Sequence, residues 1–124
     1  MIDFKNSSYL KMKPVSNTTF AQYVEDLLVH EEQTVYCFQS LRDGVVFTNK
    51  RVLAINIQGL TGKKRDITSL PYGKIQVFSI ETAGVLDLDC ELDLWFSGVG
   101  KVRFEFTSHV DVNDICKLIS DHVL

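Results

Sequence analysis

Apolar and polar residues alternate over 86–96, Leu-Asp-Leu-Asp-Cys-Glu-Leu-Asp-Leu-Trp-Phe, so one face calls for a core and the other for water. Side chains along a strand point alternately to its two faces. A strand over 85–96 is therefore predicted, with Leu86, Leu88, Cys90, Leu92, Leu94 and Phe96 inward and Asp87, Asp89, Glu91, Asp93 and Trp95 outward. The same period of two runs over 33–107. It breaks where turn residues gather: Asp43-Gly44, Asn49-Lys50, 58–63, 71–73, 82–84 and 97–100. These breaks separate seven strands, expected near 33–41, 44–49, 51–58, 64–70, 74–82, 85–96 and 101–107, and their close spacing suggests an antiparallel meander with one wet face.

Helical periodicity flanks this region. Thr19 followed by Gln22 resembles a capping box, and Phe20, Tyr23, Val24, Leu27 and Leu28 fall on one stripe, predicting a short helix over 19–29. A second helix opens at Ser108, with Asp111 and Asp114 suited to the positive end of its dipole. Its stripe of Val112, Ile115, Cys116, Ile119 and Val123 would plug the open end of a curved sheet. Residues 1–16 contain Pro14 and show no sustained period; they read as an N-terminal arm, with 17–124 as a single domain.

Composition narrows the function classes. The 124 residues, 45% of them hydrophobic, suffice for one cooperative core. A formal charge of -3 supplies no global field for nucleic acid. The chain has no membrane-length apolar run and no long apolar stretch at its start, so a cytoplasmic protein is expected. Cys37, Cys90 and Cys116 lack metal-ligand spacing and read as reduced thiols, mostly in the core.

Three constellations invite chemistry. Gly59-Leu60-Thr61-Gly62-Lys63-Lys64-Arg65 offers glycine amides and cations to an anion. It lacks the spacing and the Ser or Thr of a P-loop, and a solvated or interfacial hairpin is the leading reading. Asp87, Asp89, Glu91 and Asp93 recur on one strand face about 6.5–7 Å apart, too far to converge on one ion, so neither a metal nor a cofactor is expected. Trp95 shares that face, and Lys101 and Arg103 return beside it after a short hairpin, as an ordinary cross-strand pair or an interface anchor. His30, His109 and His122 share no ligand spacing, no Gly-x-Ser-x-Gly elbow is present, and no residue is assigned a catalytic role.

Helix placement, meander and local wording together resemble the bacterial pleckstrin homology-like (PH-like) family of small single-domain proteins. The most specific stretches are Arg42-Asp43-Gly44-Val45-Val46-Phe47-Thr48-Asn49-Lys50-Arg51, Gln58-Gly59-Leu60-Thr61-Gly62-Lys63-Lys64, Pro71-Tyr72, Phe78-Ser79-Ile80-Glu81-Thr82-Ala83-Gly84 and Asp87-Leu88-Asp89-Cys90-Glu91-Leu92. The resemblance implies a mainly β fold: a partly open barrel of seven antiparallel strands in two near-orthogonal sheets, capped by the C-terminal helix, here with an extra N-terminal helix. It also implies no catalytic activity, a cyclic homo-oligomer of five subunits, and a hydrophilic surface near the subunit junction that binds another protein. On this chain that surface is expected to comprise Thr61, Lys63, Lys64, Glu81, Thr82, Asp87, Asp89, Glu91, Trp95 and Arg103. The alternative is an anionic headgroup or nucleotide held by Lys63, Lys64 and Arg65. Eukaryotic pleckstrin domains use basic hairpins for phosphoinositides, a lipid class not expected in most bacteria, so membrane lipid is not an expected partner.

Overall fold

The period-two segments form strands that pair in sequence order. The computed structural model describes residues 1–5, 9–86, 88–107 and 110–124. A five-stranded antiparallel sheet holds β1 (Lys13–Pro14), β2 (Thr34–Ser40), β3 (Asp43–Thr48), β4 (Arg51–Gln58) and β5 (Lys64–Pro71) in that spatial order. A three-stranded antiparallel sheet follows, with β6 (Ile75–Glu81), β7 (Cys90–Phe96) and β8 (Gly100–Phe106). A one-turn 3-10 segment, Tyr72–Lys74, links the sheets. Two helices complete the fold, α1 (Ala21–Val24) and α2 (Val112–Val123). All seven expected strands are present, and β1 is added from the segment preceding them.

The inner faces of both sheets meet around one core that includes Phe38, Phe47, Leu92, Leu94, Phe104 and Phe106, all 4% exposed or less. Edge-to-face and tilted ring pairs knit it across the sheets, with the Phe38 and Phe106 centroids 4.8 Å apart. Helix α2 sets Ile115 and Ile119 into this core, as its stripe predicted. Its expected start at Ser108 lies outside the described residues. Asp111 is the N-cap, its carboxylate accepting the Asn113 amide at 3.0 Å. Cys116 is only half-buried, whereas Cys37 and Cys90 are buried.

The five-stranded sheet is covered on its outer face as well. Phe20 and Val24 pack there on Cys37, Val46, Leu53, Ile55 and Ile57, which leaves every residue from Gly44 to Thr48 buried. Gly44 does not make the turn expected at Asp43-Gly44: the β2–β3 chain reversal falls on Leu41 and Arg42, with Ser40 opposite Asp43. Gly44 instead lies inside the strand, where the Phe20 ring occupies the space a Cβ would need. The expected helix over 19–29 contracts to the four residues of α1 followed by a 3-10 turn, Glu25–Leu27. Phe20, not Thr19, is the N-cap, and no side chain caps it.

The N-terminal segment bridges the two sheets. The Met12 amide donates to the Glu105 carbonyl, the Glu105 amide to Tyr9 and the Thr107 amide to Met12, at 2.9–3.0 Å, while Lys13 and Pro14 pair with Gln39 and Phe38 of β2. This segment joins the β8 edge to the β2 edge and buries Ile2, Tyr9 and Met12. Among the described residues, the outer edges of β5 and β6 have no strand partner.

Candidate functional site

Strand pairing builds an orderly outer surface on the three-stranded sheet. Register places Glu81, Glu91 and Glu105 side by side in one cross-strand row, Ser79, Asp93 and Arg103 in the next, and Val77, Trp95 and Lys101 in a third. These are the outward positions of a period-two pattern: Leu92, Leu94, Val102 and Phe104 are fully buried between them, while Val77 and Trp95 are 65% and 49% exposed. No described element covers this face as α1 covers the other sheet.

Arg103 organises its centre. Its Nε and Nη2 donate to the two Asp93 carboxylate oxygens at 2.8 and 2.9 Å, and Nη1 lies 3.5 Å from Glu91. The planar guanidinium matches a carboxylate fork, so hydrogen bonds and charge from Arg103 hold the Asp93 carboxyl below its usual range. Asp93 in turn raises the guanidinium. Glu91 goes the other way: partial burial, then the neighbouring Glu81, push it up against the opposing pull of Arg103. A row of three glutamates thus lies beside an arginine already committed to Asp93, and it favours an incoming cation.

A groove of about 830 Å³ opens at the opposite end of the sheet. It is lined by Trp95, Lys101 and Arg103, by the β7–β8 hairpin with Gly98 and Gly100, and by Phe4, Lys5, Tyr9 and Leu10 of the N-terminal segment. Both glycines have positive φ, 84° and 87°, as the tight hairpin requires.

The expected surface residues divide into two groups. Glu81, Glu91, Trp95 and Arg103 share the outer face of one sheet, with Thr82 exposed just beyond β6 and Asp89 half-buried just before β7. Thr61, Lys63 and Lys64 belong to the β4–β5 hairpin of the other sheet, where the Lys63 amide donates to Thr61 Oγ1 at 3.4 Å. Asp87 lies outside the described residues.

The strand expected over 85–96 begins only at Cys90, and Leu86 and Leu88 do not point inward: they are 98% and 55% exposed. The reason is the lack of partners. β6 ends at Glu81 opposite Glu91, and β8 ends at Phe106 opposite Cys90, so residues before Cys90 have no ladder to join. Alternation specified the two faces of β7 but not where its neighbours stop. Glu105, Lys5 and the groove were also missed, because they enter the site through cross-strand register and the N-terminal crossing.

Among the described residues no three His, Cys, Asp or Glu side chains are placed to hold a metal ion. The His30 side chain is 94% exposed beside Glu31, His122 packs on the Tyr72 ring and is 2.8 Å from the Leu118 carbonyl, and His109 lies outside the described residues. Burial raises the Cys37 thiol to about 11, which keeps it protonated and inert. No described helix is long and apolar enough to cross a membrane.

Two antiparallel sheets closed around a core and plugged by a C-terminal amphipathic helix define a pleckstrin-type domain. The chain belongs to the bacterial PH domain family, whose model matches residues 3–123. It is 37% identical over 108 residues to the protein YjqA of Bacillus subtilis strain 168, covering 86% of each chain, and 30% identical to YozO of the same organism, covering 88% of this chain and 94% of that one. A solved DUF1696 family protein with a pleckstrin-homology domain, from Shewanella loihica PV-4, superposes with a TM-score of 0.79 at 38% identity over 93% of this chain and 99% of that one.

Proposed function

We propose that this PH-like domain is a non-enzymatic assembly and docking module. Copies associate into a closed ring, of five subunits as the family resemblance implies, and present a hydrophilic surface to a protein partner. The observation that carries this reading is the uncovered outer face of the β6–β8 sheet, which holds Glu81, Glu91, Trp95 and Arg103, together with the outer edge of β6, which has no strand partner among the described residues. A free strand edge is a template for another chain. Trp and Arg are the side chains most often found to dominate binding energy at interfaces. The basic hairpin with Thr61, Lys63 and Lys64 would extend the docking surface, and Asp87 and Asp89 its acidic side.

The anion-binding alternative at Lys63, Lys64 and Arg65 is weaker because Arg65 is engaged within the domain. Its guanidinium lies 4.8 Å from the Tyr23 ring centroid and donates to the Lys63 carbonyl at 3.3 Å. Light scattering across a dilution series tests the assembly reading. A concentration-stable particle several times the 14.1 kDa chain mass is expected, and a strict monomer at millimolar concentration refutes the ring.

A further inference from the structure

The three-stranded sheet is electrically and chemically lopsided along its strands. At one end stand Glu81, Glu91 and Glu105, and beyond Glu81 the chain leaves Val85 94% and Leu86 98% exposed and Leu88 half-exposed. No lysine or arginine occurs over 81–91, which holds four carboxylates. At the other end the groove presents Trp95, Phe4 and Val99 together with Lys5 and Lys101. Among the described residues neither lysine is held in an ion pair. The protein therefore carries an apolar knob with an acidic rim and an apolar groove with a basic rim.

The knob does not fill its own groove: none of the described residues of 82–89 lines it. Register sets Ile75, Phe96 and Gly100 beside the hairpin that ends the groove, and Glu81 and Glu91 beside the connection. Two exposed leucines and a valine on one short connection are an unusual load of apolar surface to leave in water. The complement of charge and greasiness lies on the next copy, at the far end of the same sheet.

We propose that Val85 and Leu86 of one copy seat in the Trp95 groove of the next and cover the indole, with Lys5 and Lys101 meeting the acidic rim. The contact joins two different patches, so it is head-to-tail and closes into a ring when the rotation permits. It rests on the assembly reading and names the surfaces that perform it. Salt weakens the rim and leaves the apolar contact, so assembly rate falls with ionic strength more than final affinity does.

The test uses a knob variant, Val85→Asp with Leu86→Asp, and a groove variant, Trp95→Ala with Lys101→Glu, in light scattering alongside the unaltered chain. These side chains are exposed, so each variant is expected to melt within a few degrees of the parent. The milder pair Leu86→Ser and Lys101→Gln serves if one does not. Each variant alone is expected to run as a monomer, with association weakened about tenfold or more. Their equimolar mixture is expected to give a particle of two chains, since one intact knob meets one intact groove. If the unaltered chain assembles and both variants assemble equally, or if their mixture stays monomeric, the knob and groove are not the interface while the ring stands. If the unaltered chain is itself monomeric, the assembly reading falls and takes this inference with it.

Discussion

The two sheets share a core but differ on their outer faces. The five-stranded sheet buries both sides, because Phe20 and Val24 cover Val46, Leu53 and Ile55. The three-stranded sheet alternates strictly between fully buried Leu92, Leu94, Val102 and Phe104 and outward Glu91, Asp93, Trp95, Lys101 and Arg103. A covered face contributes stability through packing, each fully buried large apolar side chain adding about 1.5–3 kcal/mol. An uncovered face contributes little to stability and is available for recognition. The comparison assigns folding to one sheet's exterior and binding to the other's, and substitutions on each side should separate the two.

The largest effect is expected beside the covered sheet, at Glu32. Its side chain is fully buried: Oε2 accepts from Thr48 Oγ1 at 2.6 Å and Arg51 Nε at 2.9 Å, and Oε1 from Arg51 Nη2 at 2.9 Å and the Val29 amide at 3.0 Å. Burial alone would raise this carboxyl, but the bonds from Arg51 and Thr48 outweigh it and hold it below its ordinary 4.5. Glu32→Gln should lose about 3–5 kcal/mol in urea unfolding, since it leaves Arg51 without its counter-charge. Because the folded carboxyl is depressed, its stabilisation is complete above pH 4.5 and disappears as pH falls through the lower folded value. The variant should therefore show a flatter stability curve below that pH, and an unchanged acid limb would remove Glu32 from the account.

A smaller effect is expected where α1 meets the sheet. Gly44→Ala places a methyl where the Phe20 ring lies, a crowding that should destabilise by about 1–3 kcal/mol. Combining it with Phe20→Leu should recover part of that loss. If Gly44→Ala is neutral on its own, Phe20 does not seal the outer face.

The smallest effect on folding belongs to the bare sheet. Arg103 is bidentate to Asp93, yet its side chain is 44% exposed, and solvent screening reduces such a pair to about 0.5–1 kcal/mol. Arg103→Ala should barely move the urea midpoint while weakening self-association. A large stability loss with unchanged assembly would reverse the roles given to the two faces.

Most of the architecture was legible in residue order, because one-sided burial imposes a period of two and a capping helix a period near four. Leu92, Leu94 and Phe96 went inward, and Glu91, Asp93 and Trp95 outward, as read. Three features were not legible, for physical reasons. Where β7 begins depends on how far β6 and β8 extend, which left Leu86 and Leu88 in water. The segment over 9–14 has no pattern of its own because its hydrogen bonds go to two different strands, β8 and β2. The Glu32–Arg51–Thr48 cluster joins the loop before β2 to the β3–β4 turn, a proximity that no local spacing encodes. The recognition face was half legible: its acids could be aligned on β7, but their partners Glu105 and Lys101 are set by register.

Trp95 is the chain's single tryptophan and stands on the bare face at the mouth of the groove, so its fluorescence reports directly on whether that face is used. Emission and acrylamide quenching followed through a dilution series, with mass measured on the same samples, test the central claim. Assembly should shift the emission to shorter wavelength and protect the indole in step with the rise in mass; a multimer whose Trp95 stays as quenchable as in the monomer would contradict it.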